Sequence, residues 1–158
     1  MKVKRTNKIL QVMKSISDLG NVRIAAGWIH PGEKHADTQL TMAQLAQVME
    51  YGAVTGKKTY IPPRPMLRFT ARLKGKEWVK EAGELAQNVL NGKLKGAAAY
   101  ETLGMLIADD IKGTMSNASL YKPNAPATVK KKGKNTPLID TGALRDAVDY
   151  KVTVRHSK

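Results

Sequence analysis

Apolar side chains recur every three or four positions in four stretches of the chain, the spacing that places them on one face of a helix. The two longest stretches are separated by Asn91-Gly92, so they predict a helical hairpin that supplies most of the core. A shorter apolar segment around Met66–Leu73 leads into this hairpin. The predicted helices cover about residues 8–19, 41–51, 76–90 and 96–115.

Alternating apolar positions predict one strand near each end of the chain, over about 22–29 and about 150–155. Two strands alone form a marginal sheet. We therefore expect the sheet to be completed by a further extended segment or, as a hypothesis, by strand addition from a neighbouring subunit. The predicted fold class is α+β in a single domain spanning 1–158: about four helices, a long helical hairpin packed on a small sheet, and extended loops.

Polar residues mark where two of the helices should begin. Thr41 and Gln44 match the S/T-x-x-E/Q capping box, so the second helix is expected to start there. A short helix is expected to begin at Thr141, with the carboxylate of Asp140 as its cap.

Two segments lack any periodicity and are expected to be loops. The first, 53–65, closes on Pro62-Pro63-Arg64-Pro65, and its three prolines predict a stiff, extended chain that docks at low entropic cost. The second, 119–139, carries three more prolines and the basic run Lys130-Lys131-Lys132. We expect it to be a flexible basic arm that orders only on assembly, and residues 156–158 to be a disordered tail.

The 158 residues include 27 Lys and Arg against 13 Asp and Glu, a formal net charge of +14. This charge suggests a nucleic-acid binder, an acidic protein partner or a place inside a larger assembly. Arg64, Arg68 and Arg72 stand four apart, so a helix would align them as a basic ridge able to contact DNA phosphates. The chain has no cysteine and no apolar run near the roughly 20 residues of a membrane span, so we expect no thiolate chemistry and no membrane partner.

Two groups of side chains are of the types found in catalytic or metal sites. His30, Glu33, His35 and Asp37 are metal-ligating types, but Pro31-Gly32 forbids the helix that would align them, which favours a solvated loop. Asp109 and Asp110 are adjacent on a predicted helix and point about 100° apart, so they are poorly placed to share one site. The sequence therefore predicts no enzyme, no metal and no cofactor.

Three segments, taken in their order and spacing, carry a resemblance to a known family. They are Met49-Glu50-Tyr51-Gly52-Ala53, then Ile61–Arg68, and then Asn124–Lys130 followed by Pro137-Leu138-Ile139-Asp140-Thr141-Gly142-Ala143-Leu144-Arg145. In these segments the chain resembles the tail-completion and head–tail joining proteins of tailed bacteriophages, the virion morphogenesis proteins similar to minor tail protein Z of phage lambda.

The resemblance implies a non-enzymatic structural protein located in the tail or neck of the virion and assembled in the host cytoplasm. It implies a ring of subunits, expected to be a hexamer, that contacts a tail terminator or tail-tube protein and the head connector, with non-specific contact to genomic DNA. The alternative from another class is a DNA-binding accessory protein that uses the basic ridge. The residues expected to make assembly contacts are Pro62, Pro63, Arg64, Pro65, Lys130, Lys131, Lys132, Leu138, Asp140, Gly142 and Arg145.

Physical reasoning gives several of these residues a role of their own. Leu138 is suited to anchor a polar loop, and Gly142 permits close backbone approach. Arg145 is suited to pair with a carboxylate on the same or a neighbouring chain. The alternative interpretation, that these residues only fix a local turn within one subunit, remains open because a turn needs the same residue types.

Overall fold

The computed structural model describes residues 2–20, 22–36, 38–54, 56 and 60–154. The predictions for Asp37, for part of the loop 53–65 and for the tail 156–158 concern residues outside these ranges. The elements, in chain order, are α1 (Lys2–Gly20), β1 (Val22–Gly27), α2 (Met42–Tyr51), β2 (Ala53–Val54), β3 (Tyr60–Ile61), α3 (Met66–Leu90), α4 (Gly96–Ser116), α5 (Pro126–Lys132), α6 (Ala143–Asp146) and β4 (Asp149–Val154), with a 3-10 turn at Ala118–Leu120.

The strands β1 and β4, from opposite ends of the chain, pair antiparallel, so that Val22 faces Val154 and Ala26 faces Tyr150. Alternate residues of both strands point toward α4, which packs on one face of this sheet. The ring of Tyr150 lies against Gly104 of α4, where a Cβ atom would come within 2.4 Å of the ring. Gly104 therefore lets the sheet approach the helix closely.

The long helices α3 and α4 pack against each other as the predicted hairpin, and the α+β fold class is confirmed. The main core lies where α4 meets α2, the start of α3 and the segment leading to β4. A smaller cluster under α1 joins α1 to the far end of the hairpin, through Leu19 packed against Leu85 and Val89. The main core consists of Met42, Ala46, Met66, Ala108, Ile111, Met115, Tyr121, Leu138, Leu144 and Val148.

The predicted start of α2 is confirmed. The amide of Gln44 donates to Thr41 Oγ1 at 3.2 Å, and the amide of Thr41 donates to Gln44 Oε1 at 2.9 Å. These two bonds satisfy backbone donors that the first turn of a helix would otherwise leave unpaired.

Two expectations about element boundaries are wrong. The apolar lead-in 66–73 and the helix 76–90 form one continuous helix, α3, because Gly75 between them is tolerated within a helix. Within the predicted loop 53–65, β2 and β3 form a short hairpin that pairs Ala53 with Ile61. The chain enters this hairpin at Gly52, which has a φ of 76°. A larger residue would not fit there, because a Cβ atom at this position would lie 2.7 Å from the Ile61 carbonyl oxygen.

The segment 119–139, expected to lack regular structure, contains the helix α5. Pro126 occupies the first turn of α5, where its missing N–H costs nothing, and Gly133 ends the helix in a left-handed conformation. These two signals outweigh the absence of an apolar stripe. Within the described ranges, no helix has both the length and the apolar character needed to cross a bilayer.

Candidate assembly surface

The carboxylate of Glu50, near the end of α2, holds the start of α3. The amides of Leu67 and Arg68 donate to its two oxygens at 2.9 and 3.2 Å, and Arg68 Nε donates at 3.0 Å. Glu50 is 4% exposed, and α3 has no side-chain cap of its own at Pro65. Because the N-terminus of a helix presents unpaired N–H groups and partial positive charge, Glu50 serves as its cap from another element.

The predicted basic ridge of Arg64, Arg68 and Arg72 does not form. Arg64 precedes α3 and is 7% exposed, so burial lowers the pKa of its guanidinium. Arg68 is paired with Glu50 and lies over the ring of Tyr51, with its guanidinium carbon 5.0 Å from the ring centroid. Arg72 lies over Phe69 in the same way, at 5.3 Å. Because α3 begins after Arg64 and Arg64 is buried, the three arginines do not form one exposed row; only Arg68 and Arg72 are exposed on α3.

Arg64 connects the proline segment to the chain that precedes α5. Its Nη2 donates to Asn124 Oδ1 at 3.0 Å, and its Nε donates to the Lys122 carbonyl at 3.4 Å. The amide of Asn124 in turn donates to Asn135 Oδ1 at 3.0 Å. Two segments that are about sixty residues apart in sequence are thereby joined through buried polar groups. Beside Arg64, Pro63 is exposed while Pro62 and Pro65 are partly covered.

The segment 137–145 is anchored to the main core, as the sequence suggested for Leu138. Leu138 is 8% exposed, and the turn before it is closed by Thr136 Oγ1, which donates to the Ile139 carbonyl at 2.8 Å. Trp28 Nε1 donates to the Leu144 carbonyl at 2.8 Å, fastening the same segment to the end of β1. The segment 137–145, the last part of the resemblance, is therefore anchored to the core of its own subunit through Leu138 and Leu144.

Asp140 does not cap α6, contrary to the expectation. The helix starts at Ala143, and its N-cap is Gly142 with a φ of 96°, so the Asp140 carboxylate lies too far upstream to reach it. Asp140 instead pairs with Lys132 of α5 at 3.8 Å, and Lys134 Nζ donates to its carbonyl at 3.0 Å. Arg145 pairs with its sequence neighbour Asp146 at 2.7 Å.

A cavity of about 170 Å³ gathers four of the predicted contact residues. Its wall includes Lys132, Leu138, Asp140 and Gly142, and His35 borders the same space. Lys130 and Lys131 remain exposed on the outer side of α5. The structure thus brings together Lys132, Leu138, Asp140 and Gly142 but not Lys130, Lys131 or Arg145, and the proline segment is linked to the chain before α5 through Arg64 and Asn124.

Two of the acidic and histidine candidates, His30 and Asp110, have structural partners. His30 Nε2 bonds Asp149 Oδ2 at 2.8 Å, an interaction that lowers the pKa of Asp149. Asp110 accepts a hydrogen bond from Trp78 Nε1 at 2.7 Å. The described residues contain no group of three or more histidine or acidic side chains positioned to hold a metal ion.

Sequence reasoning missed Glu50, Asn124 and Trp28, whose partners are distant in the chain. One signal was available for Glu50, because it follows Met42 and Ala46 at spacings of four on the buried face of α2. A carboxylate on a buried helix face requires donors, and these could have been sought at a neighbouring helix start. Asn124 and Trp28 had no comparable local signal.

Comparison of the chain with protein-family models, with curated proteins and with solved structures gave no match.

Proposed function

We propose that this protein is a non-enzymatic structural component of a phage virion that completes the tail and joins it to the head as a ring. The motifs that resemble tail-completion proteins suggest the setting. The structural observation that carries an assembly role is the incomplete sheet. Among the described residues β1 and β4 pair only with each other, so each strand has one edge of unpaired backbone groups.

We take the edge of β4 as the candidate for strand addition between subunits. Lys151, Thr153 and Val154 of β4 are exposed, against Arg23 and Ala25 of β1. An added strand would supply acceptors and donors to the free backbone groups of β4. In a contact of this kind, two different surfaces of the subunit meet. Such contacts close into a ring when the rotation between neighbouring subunits divides a full turn evenly, and every subunit then makes the same contact.

Exposed apolar side chains on the β2–β3 hairpin offer a second contact surface. Val54 and Tyr60 face each other across the hairpin and are 70% and 61% exposed, and Tyr51 beside them is 65% exposed. Large apolar groups that share a face favour contact with another protein. Tyrosine is also enriched at such interfaces because its ring has an apolar body and a polar tip.

The basic helix α5 fits the proposed partners. Lys130 and Lys131 are exposed, and they follow a segment that the rest of the subunit holds in place. In the proposed ring they would face acidic surfaces of a tail-tube, terminator or connector protein, or DNA passing through the channel.

The test is the mass of the purified protein across a concentration series, with electron microscopy to detect rings. Proline is introduced separately at Val152 and Thr153, since successive amides along a strand point to opposite edges. The variant that loses an N–H bonded to β1 should lose thermal stability. The other should keep its Tm and lose only self-association. Rings that form equally well in that folded variant would contradict the β4 edge.

A duplex DNA titration separates this proposal from the alternative. The assembly role predicts weak binding that falls with salt and does not depend on Arg68 or Arg72 in particular. Tight DNA binding by a monomer, lost on replacing these two arginines by glutamine, would favour the DNA-binding accessory protein instead.

A further inference from the structure

Arg64 is a buried cation whose known partners are neutral. The residue is 7% exposed, and its guanidinium donates to the Lys122 carbonyl and the Asn124 side-chain carbonyl. In the described part of the chain, no ion pair includes Arg64. A buried charge without a counter-charge is unfavourable, because neutral acceptors replace only part of the water that it loses.

A second unsatisfied donor lies beside this guanidinium. Asn124 is 9% exposed, and its Nδ2 is buried and has no hydrogen-bond partner among the residues that the structure describes. Its Oδ1, on the same amide carbon, accepts from Arg64 Nη2 at 3.0 Å. The free N–H groups of Asn124 are therefore within a few bond lengths of the guanidinium, and native proteins rarely leave such donors unpaired.

We propose that Arg64 and Asn124 form a binding site for one carboxylate group. A carboxylate has two acceptor oxygens, so it can accept from the guanidinium and from Asn124 Nδ2 together and neutralise the buried charge. Lys122, exposed on the adjacent chain, raises the positive potential that draws an anion toward the site. The site is independent of the proposed virion role, since it rests only on these neighbouring donors.

The carboxylate can come from a free ion or from an acidic side chain of a second copy. The chain presents suitable groups at Glu77 and Glu84 of α3, whose side chains are 65% and 57% exposed. The chemistry at Arg64 and Asn124 is the same in both cases, and the experiment distinguishes the two sources.

The probe is sodium acetate, exchanged for sodium chloride at a constant ionic strength of about 0.1 M, with Tm as the readout. The Tm of the unmodified protein should rise by about 2–4 °C as acetate replaces chloride. Arg64→Met should lose this response. Arg145→Met is the matched control, because that arginine is paired with Asp146, and it should keep the response. An equal rise in Arg64→Met, or no acetate-specific rise in the unmodified protein, would overturn the proposal.

Asn124→Asp keeps the test decisive if Arg64→Met fails to fold. It places a carboxylate 3.0 Å from Arg64 Nη2 and removes the orphaned donor, so its Tm should exceed that of the unmodified protein and should not respond to acetate. An unchanged acetate response in Asn124→Asp would contradict the site.

Sedimentation across a concentration series identifies the source of the carboxylate. If a second copy supplies it, the unmodified protein associates, acetate reverses that association, and Asn124→Asp remains monomeric. If a free ion supplies it, acetate raises Tm while the association state of all variants is the same.

Discussion

Replacing Glu50 tests whether one buried carboxylate holds the start of α3. Glu50→Gln keeps the size of the side chain but removes its charge and one of its two acceptor oxygens. The amides of Leu67 and Arg68 then compete for a single acceptor, and the new NH2 group has no acceptor among them. The helix end also loses the negative charge that complements its dipole.

The expected loss follows from these contacts. An unpaired buried N–H costs about 1–3 kcal/mol, and a charge at a partly buried helix end contributes up to about 2 kcal/mol. Part of this is offset because a neutral amide is less costly to bury than a carboxylate. We expect Glu50→Gln to lower the free energy of unfolding by about 2 kcal/mol, which lowers Tm by about 4–8 °C in a domain of this size.

The assay is urea unfolding followed by far-ultraviolet circular dichroism, with the midpoint shifting while the slope m stays constant. Glu84→Gln in α3 is the matched control. Glu84 is 57% exposed and lies 3.7 Å from Lys80, so its loss should cost less than about 0.5 kcal/mol. Arg68→Met removes the ion pair with Glu50 and keeps the backbone bonds that cap α3. Because the Arg68 side chain is 57% exposed, the loss of this ion pair should change the free energy of unfolding only a little.

Two results would refute this reasoning. Equal midpoints for Glu50→Gln and Glu84→Gln would show that Glu50 does not cap α3. A loss in Arg68→Met as large as that in Glu50→Gln would show that the ion pair, rather than the backbone bonds, holds the helix start.

Three further predictions concern the sheet and the core. Gly104→Val should destabilise the fold by about 1–3 kcal/mol, since its side chain would overlap the ring of Tyr150, and Tyr150→Ala should relieve part of the loss in a double-mutant unfolding cycle. His30→Ala should raise the pKa of Asp149 toward its ordinary 3.8, measured by carboxyl NMR titration. Since the folded pKa of Asp149 is lowered, its contribution to stability is present above that ordinary value and is lost as pH falls through the folded pKa, and an unchanged titration would contradict the contact. Tyr121→Phe should lower the free energy of unfolding by about 1 kcal/mol in urea, because its buried hydroxyl donates to a backbone carbonyl, and a neutral effect would refute that bond's contribution.

Local sequence signals predicted much of the fold. The spacing of apolar residues gave the hairpin of α3 and α4, the capping box gave the start of α2, and alternation gave β1 and β4 within two residues at each end. Each of these signals acts over a few residues, where backbone geometry alone decides which side chains share a face. The same reasoning missed α5, whose proline and glycine ends are its only local signals.

The candidate site was only partly predictable. Leu138 was expected to anchor its loop, and its burial agrees with that expectation. The expectations that Asp140 caps the following helix and that Arg64 aligns with Arg68 on one helix face were wrong, since α6 starts at Ala143 and Arg64 lies buried before α3. A charged side chain pairs with a group that lies close to it in the folded protein, and the spacing of residues along the sequence does not give that distance.

The sequence by itself determined the helices other than α5, the two main strands, the position of the proline-rich segment and the excess of positive charge. Only the tertiary structure decided that Glu50 caps α3, that Arg64 lies buried beside Asn124, and that β1 pairs with β4 while each strand keeps an open edge. Local elements follow from periodicity and backbone preference over neighbouring residues. The pairing of buried polar groups depends on packing between segments that are far apart in the chain, because burial makes every unpaired donor, acceptor or charge costly.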